Sequence, residues 1–345
     1  MSRSLKWSVL LLAMATAFVL ELSLGSVTIP LRSVFAILTG RPGGSEAWRQ
    51  IILLFRLPRA VTAMLAGAAL GVSGLKMQTL FRNPLADPYI LGVSSGASLG
   101  VALVVMVTEG FGWSLLLERA GIMGSTAIVV AAIAGSILVL GVVLSFAQKV
   151  ESNVTLLIIG LMFGYIASSL VSIMMQFSVE HQMQRYITWT FGSFGSVTWQ
   201  QMGIFASTLA AGMLLAWILA KPLNAFLLGD SYARSMGVNV RRVRFWIIVG
   251  AAVLAGTVTA YCGPVAFLGI AVPHLCRLLL KTSDHRELLP SVVLMGATLA
   301  LLADRVAQVP GSQIALPLNA VTSLVGAPVV IAVILRRRHV MEAGA

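Results

Sequence analysis

Charged residues are scarce in this sequence. Of its 345 residues, 10% are Asp, Glu, Lys or Arg, whereas 58% are hydrophobic. A soluble globular domain carries about 25% charged residues, because its surface faces water. The shortage therefore excludes an ordinary soluble domain. No Pro/Ser-rich linker or low-complexity block divides the chain, so we expect one membrane-embedded domain over residues 1–345.

Cysteine is scarce as well, with Cys262 and Cys276 as the two present. On one helix their Cα atoms would be separated by about 21 Å. A disulfide needs Cα atoms within about 7 Å. The sequence therefore predicts two small apolar core residues and excludes an intramolecular bridge on one helix.

Acidic residues number 12 against 24 basic ones, a formal net charge of +12. The basic residues form short clusters between apolar runs, as membrane topology requires, and not a stripe with exposed aromatics. We therefore expect no nucleic-acid partner. An ion-coupled secondary transporter is a weaker alternative, because such proteins bury carboxylates at mid-membrane. Here the acidic residues fall near span ends or in loops, and no His/Asp/Glu cluster indicates an embedded enzyme or a metal site.

Ten apolar runs approach the length of about 20 residues that a membrane-spanning helix needs. They predict an all-α bundle of about ten transmembrane helices, with no soluble domain: Trp7–Leu24, Ala60–Leu80, Ile90–Thr108, Ile122–Ala147, Val154–Phe177, Thr198–Ala220, Phe245–Tyr261, Pro264–Leu280, Leu288–Ala307 and Ile314–Leu335.

The amino terminus resembles a secretory signal, because Arg3 and Lys6 precede the first apolar run. No small-residue cleavage site follows that run. We expect the first span to be retained.

Basic residues set the orientation. If the amino terminus is inside, sixteen of the 24 basic residues, including Lys76, fall on the inner face. This bias predicts a multi-pass protein of the bacterial cytoplasmic (inner) membrane, with both termini in the cytoplasm. The outer face keeps Arg32, Arg41, Arg49, Arg56, Arg59, Arg119, Arg185 and Arg305.

Several motifs resemble one known family. Arg56-Leu57-Pro58-Arg59 precedes a span, which is followed by RNPLADP at 82–88 and LGVSSGA at 91–97. These stretches resemble the permease subunits of type II ABC importers for iron-siderophore, haem and cobalamin. Further similarity runs through 227–238, 262–277, 284–286 and 316–328, in the family's order, so that it covers nearly everything from Arg56 to Arg338.

The resemblance implies the partners and the division of labour. It implies a homodimer with ten spans per subunit, two ATP-binding subunits below, and a periplasmic or lipid-anchored substrate-binding protein above. The sequence has no G-x-x-x-x-G-K-[ST] loop, so we expect the partner subunit, and not this chain, to hydrolyse ATP. We expect no cofactor bound by this chain.

The segment at about 225–238 is similar to the family's cytoplasmic coupling segment. Asp230 or Ser231 would cap a short helix there, and Gly237 would end it. An ordinary interfacial loop is the alternative. The residues predicted to contact the ATPase are Leu228, Gly229, Asp230, Ala233, Arg234 and Gly237.

On the outer face, Arg56 and Arg59 match family positions that meet glutamates of the binding protein. Interfacial snorkelling is the alternative for both. Gln308 stands where the family often has an arginine. Arg305, one helical turn earlier, is the candidate substitute, unless its neighbour Asp304 neutralises it.

The pathway residues are predicted from the fifth span. Ser152 and Asn153 fall where the family narrows its passage, although helix capping explains them equally well. Met174 and Met175 would line the passage or simply pack. His181 is a candidate contact for haem, or an ordinary polar loop residue. We expect the cargo to be an iron chelate, siderophore or haem, with cobalamin as the second possibility.

Overall fold

The computed structural model describes residues 3–41, 44–107, 125–147, 150, 152–308 and 315–342. Within these ranges the chain forms helices and turns, and no β-strand. The α-helices are α1 Arg3–Ser23, α2 Leu31–Leu38, α3 Glu46–Gln50, α4 Leu57–Phe81, α5 Val93–Ala102, α6 Ser125–Ala147, α7 Asn153–Gln176, α8 Glu180–Thr190, α9 Trp199–Ile218, α10 Ala220–Leu227, α11 Asp230–Ser235, α12 Val240–Cys262, α13 Leu268–Leu280, α14 His285–Ala307 and α15 Leu318–Glu342.

Seven of these helices are long and apolar enough to cross a membrane: α1, α4 with its preceding turns, α6, α7, α9, α12 and α14. Three shorter apolar helices, Val93–Met106, Leu268–Leu280 and Leu318–Ile331, lie where the third, eighth and tenth spans are predicted. The prediction of an all-α bundle of about ten transmembrane helices is confirmed. Thr108, residues 122–124 and Ile314 of the predicted spans lie outside the described residues.

Two of the short helices begin later than predicted, because the chain turns before each of them. A 3₁₀ turn at Pro88–Leu91 is separated from α5 by Gly92, whose φ of 76° suits glycine. Phe267, at φ 67°, delays the start of α13 to Leu268. Backbone turns of this kind shorten a span without changing its apolar composition.

Helix α4 is the centre of the bundle, and every residue from Ala66 to Leu80 is buried. It packs against α12, α13 and α14. A Cβ on Gly67 would lie 2.1 Å from the carbonyl oxygen of Gly296, and a Cβ on Gly74 would lie 1.8 Å from that of Gly269. Glycines therefore let these backbones touch, in a setting where lipid provides no hydrophobic drive for packing.

Polar contacts identify the two faces of the bundle. At one face Arg3 Nη2 lies 2.7 Å from Glu287 Oε1, and Lys6 Nζ donates to the Leu280 carbonyl at 3.3 Å. We call this the N-terminal face; the opposite side, where α1 and α14 end and α4 begins, is the far face. Arg119, which is predicted on the outer face, is not among the residues that the structure describes.

Lys76, which the charge count assigned to the inner side, lies in the half of α4 nearer the N-terminal face, but inside the bundle. Its side chain is fully buried on α4, and its Nζ has no hydrogen-bond partner among the described residues. The Nζ lies 2.2 Å from the position that a Cβ would take on Gly250 of α12. The charge count concerned only the side of the membrane, and the rotation of α4 is what turns this side chain toward α12.

Candidate functional site

The predicted coupling segment, residues 225–238, forms the short helix α11 at the N-terminal face. The helix starts after Gly229, at φ 114°, and Gly237 follows it at φ 80°. The Val238 amide donates to the Ala233 carbonyl at 3.0 Å, a helix end that requires positive φ at Gly237. The helix therefore ends at Gly237, as the sequence predicts.

One edge of α11 is apolar and exposed. Leu228 is 66% exposed and Met236 61%, and Tyr232 lies between them along the helix. Beneath them Phe226 and Ala233 are buried in the apolar cluster shared with α12. A short helix that is anchored below and apolar above can seat in a groove of a soluble partner.

The carboxylate of Asp230 is held between two arginines, an arrangement that we call the Asp230 clamp. Arg82, which follows α4, donates to Oδ1 at 2.9 Å, and Arg244 of α12 donates to Oδ2 at 3.0 Å. The N-cap of α11 is Gly229, without a side-chain cap, so the prediction that Asp230 or Ser231 caps the helix was wrong. The carboxylate instead ties α11 to the ends of two membrane helices.

A second polar network joins α10 to α14 and α4. Asn224 Nδ2 donates to Asp284 Oδ1 at 2.7 Å, and Asn224 Oδ1 lies 2.7 Å from the His285 Nδ1 atom. The other ring nitrogen of His285 lies 2.8 Å from the Thr79 hydroxyl. The family similarity drew attention to residues 284–286 but not to Asn224, since nothing local marks an asparagine in an apolar segment as a partner.

Asp284 is also a helix cap. Its carboxylate accepts a hydrogen bond from the Arg286 amide at 3.0 Å. This hydrogen bond from the Arg286 amide is the largest cause that lowers the pKa of the Asp284 carboxyl from its ordinary value. The hydrogen bond from the Asn224 side-chain amide is the next largest. The ionised form is therefore favoured where α10 meets α14.

At the far face the predicted docking residue Arg59 forms an ion pair inside the subunit. Its Nε lies 2.7 Å from Asp304 Oδ2, and its Nη2 lies 2.9 Å from Oδ1. Gln308 Nε2 bridges the same carboxylate, at 2.9 Å, to Glu21 Oε1, at 2.6 Å. Asp304 therefore pairs with Arg59, and not with Arg305 as the sequence had allowed.

The other two predicted docking residues, Arg56 and Arg305, are buried. Arg56 donates to the Leu22 carbonyl at 2.7 Å and also to that of Val27. Arg305 donates to the carbonyls of Leu24 and Gln308. In this structure both guanidinium groups hold the segment that follows α1, a role that sequence reasoning missed because main-chain acceptors have no sequence signature.

Helix α7, the predicted fifth span, carries the pathway candidates. Ser152 is exposed and its Oγ accepts from the Thr155 amide at 3.3 Å, which is the capping interaction. Asn153 is the first residue of α7, and its side chain lies outside the described residues. Met174 and Met175 are half-buried against the apolar cluster that includes α5 and α6.

A polar stripe runs along the half of α7 nearer the far face. Tyr165, Ser169, Ser172 and Gln176 are all exposed and recur at helical spacing. Thr155 is exposed at the other end of α7, and the remaining exposed residues of the helix are mostly apolar, among them Ile158 and, beside the stripe, Ile166 and Ile173. Lipid does not favour polar side chains in a span, so this stripe indicates contact with water or with another protein surface.

Helix α8 follows α7 and carries His181. The side chains of His181 and Arg185 are exposed, whereas Gln182 and Tyr186 are buried. Among the residues that the structure describes, no group of three or more His, Cys, Asp and Glu could hold a metal ion.

The structure is an all-helical membrane bundle of about ten helices, with a short exposed helix beside the ends of two of them. The model of the FecCD transport family matches residues 11–336. The chain belongs to this family, the permeases of type II ABC importers for iron-siderophore and vitamin B12. The predicted family is confirmed. The chain is the translocating subunit, and ATP hydrolysis belongs to a separate subunit.

Similar proteins support this membership. The chain is 37% identical over 287 residues to the vitamin B12 import system permease protein BtuC of Klebsiella pneumoniae, covering 82% of each chain. It is equally identical over 285 residues to BtuC of Salmonella typhimurium. A solved structure described as an inward-facing ABC transporter of metal-chelate type matches with a TM-score of 0.83 and 28% identity, covering 97% of this chain and 100% of that one. Like a permease, this chain is a multi-pass membrane protein.

Proposed function

We propose that this chain is the permease of a binding-protein-dependent importer that carries iron chelates, with siderophore or haem as cargo. The observation that carries the proposal is the Asp230 clamp. Because the clamp ties an exposed apolar helix to both α4 and α12, movement imposed on α11 reaches two membrane helices. ATP-driven closure of the partner subunits would then switch the passage between its two openings, by alternating access.

The passage lies between two copies of the chain in this proposal. The polar stripe of α7 supports it, because lipid does not favour a row of polar side chains such as Tyr165, Ser169, Ser172 and Gln176 along one face. The α7 stripe of the second copy would face the stripe of the first copy across the passage. We propose that Ser152 and Asn153 lie at the narrow end of this passage, and that Met174 and Met175 shape its wall from behind.

We propose that the N-terminal face is cytoplasmic, with both termini there, and that the whole chain forms one permease domain. The coupling segment contacts one ATP-binding subunit per copy through the exposed residues Leu228, Arg234 and Gly237, while the buried residues Gly229 and Ala233 support the segment from beneath. The excess of basic residues predicted for this side supports the orientation.

We propose that the binding protein docks on the far face. The side chain of Arg59 is 25% exposed, so its guanidinium group can bind a carboxylate of the binding protein while it stays paired with Asp304. Arg56 and Arg305 would act on docking through the segment 22–27, whose carbonyl groups they hold. Charge pairing of this kind mainly steers encounter and fixes register.

A cobalamin importer is the second candidate. It is favoured by the vitamin B12 permeases that are 37% identical to this chain. The two candidate functions share the fold, the partners and the Asp230 clamp, and they differ only in the cargo.

Purification and reconstitution test the proposal. The tagged chain should co-purify with an ATP-hydrolysing subunit, and liposomes containing the complex and its binding protein should take up a ferric chelate when ATP is supplied. A partner subunit with a defective Walker motif should abolish uptake. ATP-dependent uptake of cobalamin without uptake of any iron chelate would favour the second candidate, and uptake that survives the Walker defect would contradict both.

A further inference from the structure

A groove opens on the outside of the bundle between α6 and α9. Both helices pack against α12 but scarcely touch each other, so a gap of about 190 Å³ is left between them. We call this gap the α12 groove, because Ala252 and Gly256 of α12 form its floor. Ile137 of α6 and Thr208 of α9 stand on its two sides.

The α12 groove lies at the level of the hydrocarbon core of the membrane. Its α6 side is formed by Ile133, Ser136, Ile137 and Leu140, in the middle of a 23-residue helix, and Thr208 lies near the middle of α9. The hydrocarbon core is about 30 Å thick, nearly the length of such helices. At this depth the molecules around the protein are acyl chains and other membrane spans.

The wall of the groove offers little to a polar ligand. Ser136 Oγ donates to the Val93 carbonyl at 2.9 Å, and Thr208 Oγ1 donates to the Ile204 carbonyl at 2.8 Å. Thr257, which carries the third hydroxyl group of the described wall, is 7% exposed, and none of the described lining residues is charged. A water molecule needs two to four polar partners to be held in a cavity. The wall therefore suits hydrocarbon.

The size of the groove restricts which hydrocarbon can fill it. A transmembrane helix with its side chains is about 10 Å across, which is too wide for a gap of about 190 Å³. An apolar cavity of about 150 Å³ is large enough for benzene, so the groove has room for a stretch of unbranched chain. The mouth of the groove is open, because Ile137 is 63% and Val253 37% exposed. A chain that stays attached to its headgroup can therefore enter from the side.

We propose that the α12 groove is a lipid site, occupied by one acyl chain of a membrane phospholipid. The chain lies between α6 and α9, where the small residues Ala252 and Gly256 let it approach the backbone of α12. Its binding is driven by van der Waals contact, since no hydrophobic effect operates inside the bilayer. The chain supports the same helix that carries Arg244 of the Asp230 clamp.

Ile137→Trp and Leu138→Trp form a matched pair of variants. The two residues are neighbours on α6 and are 63% and 62% exposed, but only Ile137 is among the described residues that line the groove. An indole at position 137 takes up space in the groove. An indole at position 138 adds the same bulk to the apolar surface outside it.

The probe is a phosphatidylethanolamine with a diazirine halfway along one acyl chain, added at a few molecules per protein to the delipidated full-length protein in detergent. After photolysis, we expect the labelled peptides to be those of the groove, on α6 and around residues 252–257, with labelling that saturates and is competed by unlabelled phosphatidylethanolamine. Ile137→Trp should lower the labelling of residues 252–257 about tenfold. Leu138→Trp should leave it within about twofold.

Thermal unfolding supplies a second readout. A ligand that binds the folded state raises Tm as its concentration rises. Added phosphatidylethanolamine should therefore raise the Tm of the unmodified protein and of Leu138→Trp more than that of Ile137→Trp.

Three results would overturn the lipid site. Labelling spread evenly over exposed residues of α9, such as Ile204 and Leu214, would mean that the protein has only annular lipid. Groove labelling that Ile137→Trp leaves unchanged would place the chain elsewhere. An unlabelled groove, together with cross-linking of Ile137→Cys between two copies, would make this face an interface between copies. If Ile137→Trp fails to fold, the labelling pattern of the unmodified protein decides. None of these measurements uses uptake or ATP, so the lipid site and the proposed function stand or fall separately.

Discussion

Lys76 is a single residue whose burial lowers the stability of the bundle. A buried amine without a hydrogen-bond partner loses its hydration and gains nothing in exchange. The surrounding residues, Gly250 and Leu215, leave room for an unbranched side chain but offer no acceptor. The bundle therefore tolerates Lys76 at a cost in stability.

Lys76→Met should stabilise the protein, because methionine fills the same space without a polar atom. We expect the apparent Tm in detergent to rise by about 2–4 °C. The control is Lys221→Met, at an exposed lysine of α10, which should leave Tm unchanged. A lower Tm in Lys76→Met would mean that the amine has a partner in the folded state.

At the scale of elements, the crossing of α4 and α14 depends on Gly67 and Gly296. Gly67→Ala would drive a methyl group against the Gly296 carbonyl, so we expect a loss of about 1–3 kcal/mol in unfolding free energy. Gly203→Ala on α9 is the matched control, because nothing lies within 4 Å of its Cβ position. Thermal unfolding of both variants measures the difference, and equal Tm values would contradict the close crossing.

Helix α11, the proposed coupling helix, is the second element whose role can be tested separately. Asp230→Asn keeps the shape of the side chain but removes the charge that holds Arg82 and Arg244. We expect ATP hydrolysis by the reconstituted complex to persist while chelate uptake falls about tenfold, because charge-assisted hydrogen bonds are roughly twice as strong as neutral ones. The measurement is uptake per ATP hydrolysed.

Arg242→Gln is the control for this uncoupling. Arg242 is exposed two residues before Arg244 and belongs to the same helix without touching Asp230. Its removal should leave uptake per ATP unchanged. If Asp230→Asn also leaves that ratio unchanged, α11 does not transmit the movement.

At the scale of the whole molecule, the exposed stripe of α7 predicts where two copies meet. Ser169→Cys should be joined to the same residue of the second copy by a bifunctional maleimide whose spacer spans the passage, because the two positions would face each other across it. Ile204→Cys on α9, 65% exposed on an apolar surface, should stay monomeric. The native Cys262 and Cys276 are buried and do not interfere. Cross-linking of Ile204→Cys without Ser169→Cys would place the interface on α9.

The amino-acid sequence by itself determined the class of this protein. Apolar runs of membrane length and the separated motifs from Arg56 onward were sufficient for the fold, the family and the separate ATPase. These features are local: each span needs its own hydrophobicity, and each motif is contiguous in the chain.

Only the tertiary structure decided what individual polar groups do. Arg56 and Arg305 turned out to hold main-chain carbonyls, Asp230 to bridge two helix ends instead of capping its own, and Lys76 to face α12. Their partners are distant in sequence, and the rotation of each helix selects them. A charged residue near the end of a span gives the same sequence pattern whether it faces water, a carbonyl group or a carboxylate. Only the packing of the helices distinguishes these three environments.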